Sequence, residues 1–101
     1  MKSALLTAVI AVSLGFAGAA QAAGDAAVGK TKATSCAMCH GPNGEGTKVG
    51  PKLAGEPAAK FIEQMNEYKS GKRDSPMMKG PTSSLSADDI ANLAAYYASI
   101  K

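Results

Sequence analysis

The sequence predicts an all-α fold of three main helices joined by two loops rich in glycine and proline. Three observations carry this expectation. No stretch alternates apolar and polar residues as a half-buried strand would. Two segments, one opening at Pro57 and one at Ser86, repeat apolar residues at helical spacing. Glycine and proline gather in two intervals, 41–55 and 72–84, where neither period survives.

Residues 1–22 stand apart from the fold. Met1-Lys2 is a short positive start, residues 4–17 are almost wholly apolar or small, and Ala20-Gln21-Ala22 is an A-x-A cleavage site. Together they predict a secretory signal peptide removed after Ala22. A retained anchor is the alternative. The apolar run is broken by Thr7, Ser13 and Gly15 and is shorter than the roughly 20 residues a spanning helix needs. Residues 23–101 then form one small domain. A chain this short has a marginal core and needs a disulfide, a metal or a cofactor to pack around. It has no Trp, and Phe61 is its only Phe beyond the signal.

The first helix is expected from Asp25, a good N-cap, to about Met38. It should end near His40, because Gly41-Pro42-Asn43-Gly44 is a strong turn cluster. Gly29 interrupts its apolar side at a cost of about 1 kcal/mol relative to Ala, which points to close approach by another helix. Residues 41–55 read as a long loop, and such a loop in a small domain usually serves a function. The second helix starts at Pro57. Phe61, Ile62, Met65 and Tyr68 share one face, which makes Met65 a core residue, and Gly71 is the expected stop. Residues 72–84 read as loop again and contain Met77-Met78. Ser86 opens the last helix with Asp89 three residues on, a variant of the capping box. Ile90, Leu93, Tyr96 and Tyr97 form its stripe, and Ile100 extends it.

Cys36-Ala37-Met38-Cys39-His40 holds both cysteines and the only histidine. C-x-x-C-H is the attachment signature of a c-type haem. Each thiol adds to one vinyl group, and the histidine that follows reaches the iron as proximal ligand. The competing chemistries fit poorly. A thioredoxin-like dithiol needs a βαβ setting. Structural zinc needs four ligands, and these three residues exhaust the Cys and His of the chain. A Cys36–Cys39 disulfide would close too small a loop to add much. Attachment of this kind takes place outside the cytoplasm, which agrees with the export signal. The formal charge of +3 falls to +2 without Lys2. There is no long basic run and no aromatic interleaving, which excludes a nucleic-acid partner. Lysines, among them Lys30, Lys32, Lys48, Lys52, Lys60, Lys69, Lys72 and Lys79, are spread along the mature chain. They read as a solvated surface, or in part as a steering field for acidic partners.

With these residues in order, the chain resembles the class I c-type cytochromes, specifically the small bacterial periplasmic monohaem members. Four features carry the resemblance: a first helix ending in C-x-x-C-H, Gly-Pro-Lys-Leu at 50–53, a loop methionine, and Leu-Ser-Ala-Asp-Asp-Ile-Ala-Asn-Leu-Ala-Ala-Tyr-Tyr at 85–97. It implies Cys36 and Cys39 as thioether anchors of one haem c, and His40 as proximal ligand. It also implies that Pro51 accepts a hydrogen bond from the ligand's Nδ1–H through its carbonyl, and that Leu53 packs on the haem. The sixth ligand implied is a methionine. Met38 lies within the attachment motif and Met65 on a helix face, leaving Met77 and Met78. In similar domains the ligand lies seven residues before the leucine preceding the last helix, which selects Met78 from Leu85. The family packs its first and last helices around a small residue, so Leu93 and Tyr96 are expected to meet Gly29 and Ala33. At Ala33 a larger residue is common, and this chain departs from the pattern.

The implied function is one-electron transport in the periplasm, with no catalysed reaction, by a monomer passing electrons between respiratory complexes or dehydrogenases and terminal oxidases or reductases. Docking is expected at the edge near Cys39 and the methionine loop, with no stable membrane insertion after signal cleavage. A haem subunit of a larger oxidoreductase and a gas-binding or peroxidase-like haem protein are the alternatives.

Overall fold

Helix α1 (Ala26–Lys32) starts where the Asp25 carboxylate accepts hydrogen bonds from the backbone N–H groups of Ala27 and Val28, at 2.9 and 3.2 Å. The computed structural model describes residues 24–101; the expected signal peptide, residues 1–22, lies outside the described residues. The first helix is not the continuous rod its composition suggests. It tightens into a 3₁₀ turn at Ala33–Ser35 and resumes as the short α2 (Ala37–His40). The break sits among Thr31, Thr34 and Ser35, and the Thr34 hydroxyl donates back to Thr31 O at 2.9 Å. Such bonds compete with the regular helical ladder.

After the glycine-rich loop, α3 (Ala58–Ser70) follows Pro57 and ends at Gly71, which adopts a left-handed conformation. The segment after it corrects the sequence reading: residues 76–83 of the expected 72–84 loop are helical, as α4 (Pro76–Ser83). The Ser75 hydroxyl accepts from Met78 N–H, and Pro76 occupies the first turn, where no N–H is needed. Pro76 is therefore a start signal, not the breaker its composition suggests. Helix α5 (Ala87–Ser99) opens with the Ser86–Asp89 capping box, both hydrogen bonds at 3.0 Å. No strand occurs among the described residues.

The core joins these pieces. Ala33, Leu53, Phe61, Met65, Ile90, Leu93, Ala94 and Tyr97 form one buried cluster, with the Phe61 and Tyr97 rings 5.6 Å apart. Helices α1 and α5 make the most extensive helix pair. Gly29 allows it: a Cβ there would lie 2.0 Å from Asn92 O and 2.9 Å from Tyr96 Cβ. Tyr96 is thus at the contact as expected, while Asn92, not Leu93, faces the glycine. Leu93 turns into the core. The Asn92 side chain also accepts from Asp25 N–H at 2.8 Å, tying the start of α1 to α5.

Candidate functional site

Helix α2 delivers Cys36, Cys39 and His40 to one wall of a crevice between the glycine-rich loop and α4. Both cysteines are free thiols of intermediate exposure. Burial raises the Cys36 pKa, partly offset by hydrogen bonds with Tyr97 and Ser35. Burial, together with Cys36 beside it, also pushes the Tyr97 hydroxyl well above its ordinary range.

His40 is buried, and its Nδ1 lies 2.7 Å from Pro51 O. A carbonyl oxygen only accepts, so Nδ1 carries the proton and Nε2 keeps a free lone pair. That is the tautomer a metal-ligating imidazole needs, with its orientation fixed from behind. The loop is wired to the attachment motif at several further points. Gly46 N–H donates to His40 O at 2.8 Å. The Thr47 hydroxyl donates to Cys39 O and accepts from Val49 N–H and Gly50 N–H at 3.0 and 3.3 Å. A Cβ on Gly50 would stand 2.7 Å from Cys39 O and 2.9 Å from His40 Nδ1, so only glycine lets the loop lie flat here.

Three cavities meet in the crevice, of about 190, 230 and 30 Å³, and His40 and Met78 line all three. The first also holds Cys36, Cys39, Val49, Pro51, Met77 and Pro81. The second is more polar, with Lys52, Gln64 and Arg73 beside Leu53. Tyr68 lines both. Met78 packs against the core, whereas Met77 is 64% exposed. Leu53 is buried and lines the second and third cavities. The crevice thus assembles Cys36, Cys39, His40, Pro51, Leu53 and Met78 around shared space.

The donor set fits a c-type haem. Two thiols line the first cavity, an imidazole nitrogen and a thioether sulfur border all three, and the cationic Lys52 and Arg73 line the second, which holds neither thiol. The combined space is on the scale of a cofactor pocket, roughly 300–1,000 Å³. Sequence reasoning left out Thr47 and the close approach at Gly50. The signal for Thr47 was present: a threonine two and three residues ahead of free N–H groups in a glycine-rich stretch is turn chemistry.

A family model described as cytochrome c matches residues 26–101. Cytochrome c4 of Pseudomonas aeruginosa is 45% identical over 91 residues, covering 89% of this chain and 45% of that protein. The chain spans about half the length of the cytochrome c4 sequences it matches. Among solved structures, reduced cytochrome c4 from Pseudomonas stutzeri superposes with a TM-score of 0.73 at 34% identity, over 78% of this chain and 47% of that one. Thiosulfate dehydrogenase from Marichromatium purpuratum gives a TM-score of 0.73 at 32% identity, over 77% of this chain and 20% of that one.

Proposed function

Since the chain belongs to the cytochrome c family and has the class I fold, we propose that it carries one haem c and works as a periplasmic one-electron carrier, exported by a signal peptide cleaved after Ala22. The observation that carries this reading is the convergence of three cavities on His40 and Met78, with His40 Nδ1 already engaged by Pro51. When bound, haem c supplies reversible one-electron exchange at its iron.

The chain's own residues do the rest. Cys36 and Cys39 anchor the ring. His40 offers Nε2 on one side, and Pro51 keeps that ring from turning. Met78 offers its thioether on the other, and a thioether favours ferrous iron and so a higher potential. Leu53, Met65 and Leu93 exclude water. With His40 and Met78 both holding the iron, no open site would remain for a substrate, which argues for transport over catalysis. Val49 and Met77, exposed at the mouth beside Cys39, offer an apolar surface for a redox partner.

A second reading, a haem domain of a larger oxidoreductase, is favoured by the likeness to one fifth of the thiosulfate dehydrogenase chain. Tight co-purification of a second redox protein would support it.

The test is an optical spectrum with a potentiometric titration of protein recovered from the periplasm. Haem should stay with the polypeptide on denaturation, titrate as one electron, show the ferric sulfur-to-iron charge-transfer band, and leave the ferrous protein binding carbon monoxide only slowly, at a rate limited by opening of the sixth position, at neutral pH. Met78→Ala should abolish the band and Met77→Ala should keep it. Loss of the band in the Met77 variant alone, or ready carbon monoxide binding by the parent protein, would sink the ligand assignment.

A further inference from the structure

Among the described residues the buried polar side chains, apart from the Tyr97 hydroxyl, are His40 and Thr82, and Thr82 is neither an anchor nor a candidate ligand. Its relative exposure is 1%. Its hydroxyl donates to Met78 O at 2.7 Å and lies 3.3 Å from Lys79 O. The side chain borders the smallest of the three cavities, together with Cys36, His40 and Met78. The helix around it is short of donors, because Pro81 has no N–H to offer Met77 O. A hydroxyl one residue later adds a donor to the next carbonyl, that of Met78 itself. Helix α4 packs against α3, and Met78 and Leu85 touch the core; its side-chain hydrogen bonds at the two ends are the Ser75 cap and, just beyond, the Lys69 ammonium on Leu85 O.

We propose that Thr82 is a positioning residue for the sixth ligand. Its hydroxyl clamps the main chain of Met78 and so holds the thioether over the crevice, opposing the excursions in which the methionine swings away. The proposal rests on Met78 as that ligand. A buried hydroxyl in an otherwise apolar corner is retained because it stabilises the closed position of one residue. A merely structural threonine would stabilise the whole domain equally with or without the methionine sulfur.

The test uses the haem-loaded protein and the rate at which ferrous protein binds carbon monoxide, which reports how often the sixth position opens. Thr82→Val, of equal shape, should speed binding roughly three- to tenfold, the factor expected from one lost hydrogen bond. It should also lower the temperature at which the ferric charge-transfer band disappears. Thr82→Ser should return both to within about twofold of the parent. In a Met78→Ala background, Thr82→Val should leave the carbon monoxide rate unchanged. If Thr82→Val does not load haem, Thr82→Ala carries the same comparison. A valine or alanine rate matching the parent overturns the proposal, as does an equal effect in the Met78→Ala background or failure of serine to restore. If Met78→Ala itself keeps the band, the ligand assignment falls first, a result distinct from any of these.

Discussion

The loop that follows His40 and the segment that carries Met78 line the same cavities and are held in opposite ways. The loop is bound to the attachment motif at three points, His40 Nδ1 to Pro51 O, Gly46 N–H to His40 O and the Thr47 hydroxyl to Cys39 O, and is closed on itself by backbone bonds from Leu53 and Ala54 to Gly44 O. Helix α4 has a serine cap, an internal proline and one buried threonine. The difference teaches that the two sides of the crevice are unequal by construction. The histidine side is a template set by many mutually dependent contacts. The methionine side is a short element whose place depends on a few. Opening of the crevice should therefore begin at α4.

The largest expected break in this comparison comes from alanine at Gly50. Its Cβ would press on Cys39 O and His40 Nδ1, so either the loop or the His40 ring must shift. Overpacking of this kind costs about 1–3 kcal/mol, which in a domain this small lowers Tm by roughly 5–20 °C. A thermal melt of the haem-loaded variant checks it. An unchanged Tm would mean that the loop is as loosely held as α4. Gly29→Val, at the α1–α5 contact, should be at least as damaging, and it tests the frame rather than the site.

Next comes Thr47→Val. One hydroxyl serves Cys39 O and two loop N–H groups, but it lies near the surface, where water replaces part of what is lost. The expected cost is about 1 kcal/mol. Amide exchange should quicken at Val49 and Gly50 while α4 is unaffected. Faster exchange in α4 as well would show the two sides to be coupled.

How much of this was legible follows the same division. The Asp25 and Ser86 caps, the Gly71 stop and the apolar stripes of α3 and α5 are local signals, and the structure repeats them; C-x-x-C-H is just as local a signal. Gly29 was legible because a glycine inside a helix needs a reason. The 3₁₀ break at Ala33–Ser35 was not, since it depends on which threonine hydroxyl turns back to the main chain. Helix α4 was hidden because Pro76 and Pro81 have the same composition but different meanings: one begins a helix and the other interrupts it. In the crevice, the residue types of the candidate ligands are conspicuous in sequence. Thr47, Gly50 and Thr82 are not, because their importance lies in what they touch across the fold.

A smaller effect concerns the brace between the two sides. Asp89 accepts from Ser86 N–H and pairs with Lys32 at 3.5 Å, linking α1 to the start of α5 just beyond the methionine segment. The backbone hydrogen bond at Ser86, with a further contribution from Lys32, lowers the Asp89 pKa. A carboxyl with a depressed folded-state pKa contributes stability that is present above its ordinary value of 3.8 and lost as pH falls through the folded value. Asp89→Asn should therefore melt below the parent at neutral pH, by less than Thr47→Val. The two curves should converge in acid. A gap that persists at low pH would assign the loss to packing, not charge.

The smallest effect should come from Gly80→Ala, the counterpart of Gly50 on the methionine side. No non-neighbouring atom lies within 4 Å of a Cβ built there, so the crowding that condemns alanine at position 50 is absent. Two local terms then compete. Alanine gains up to about 1 kcal/mol over glycine in a helix, but position 80 precedes Pro81, whose ring disfavours helical backbone for a residue bearing a Cβ. The net change should be under about 0.5 kcal/mol in either sense. Pro81→Ala separates the terms by removing the ring and restoring an N–H toward Met77 O. In that background Gly80→Ala should show its full stabilisation, and carbon monoxide binding should slow as α4 opens less often. If Gly80→Ala alone destabilises as much as Gly50→Ala, then α4 is fixed by long-range packing, and the contrast between the two sides of the crevice fails.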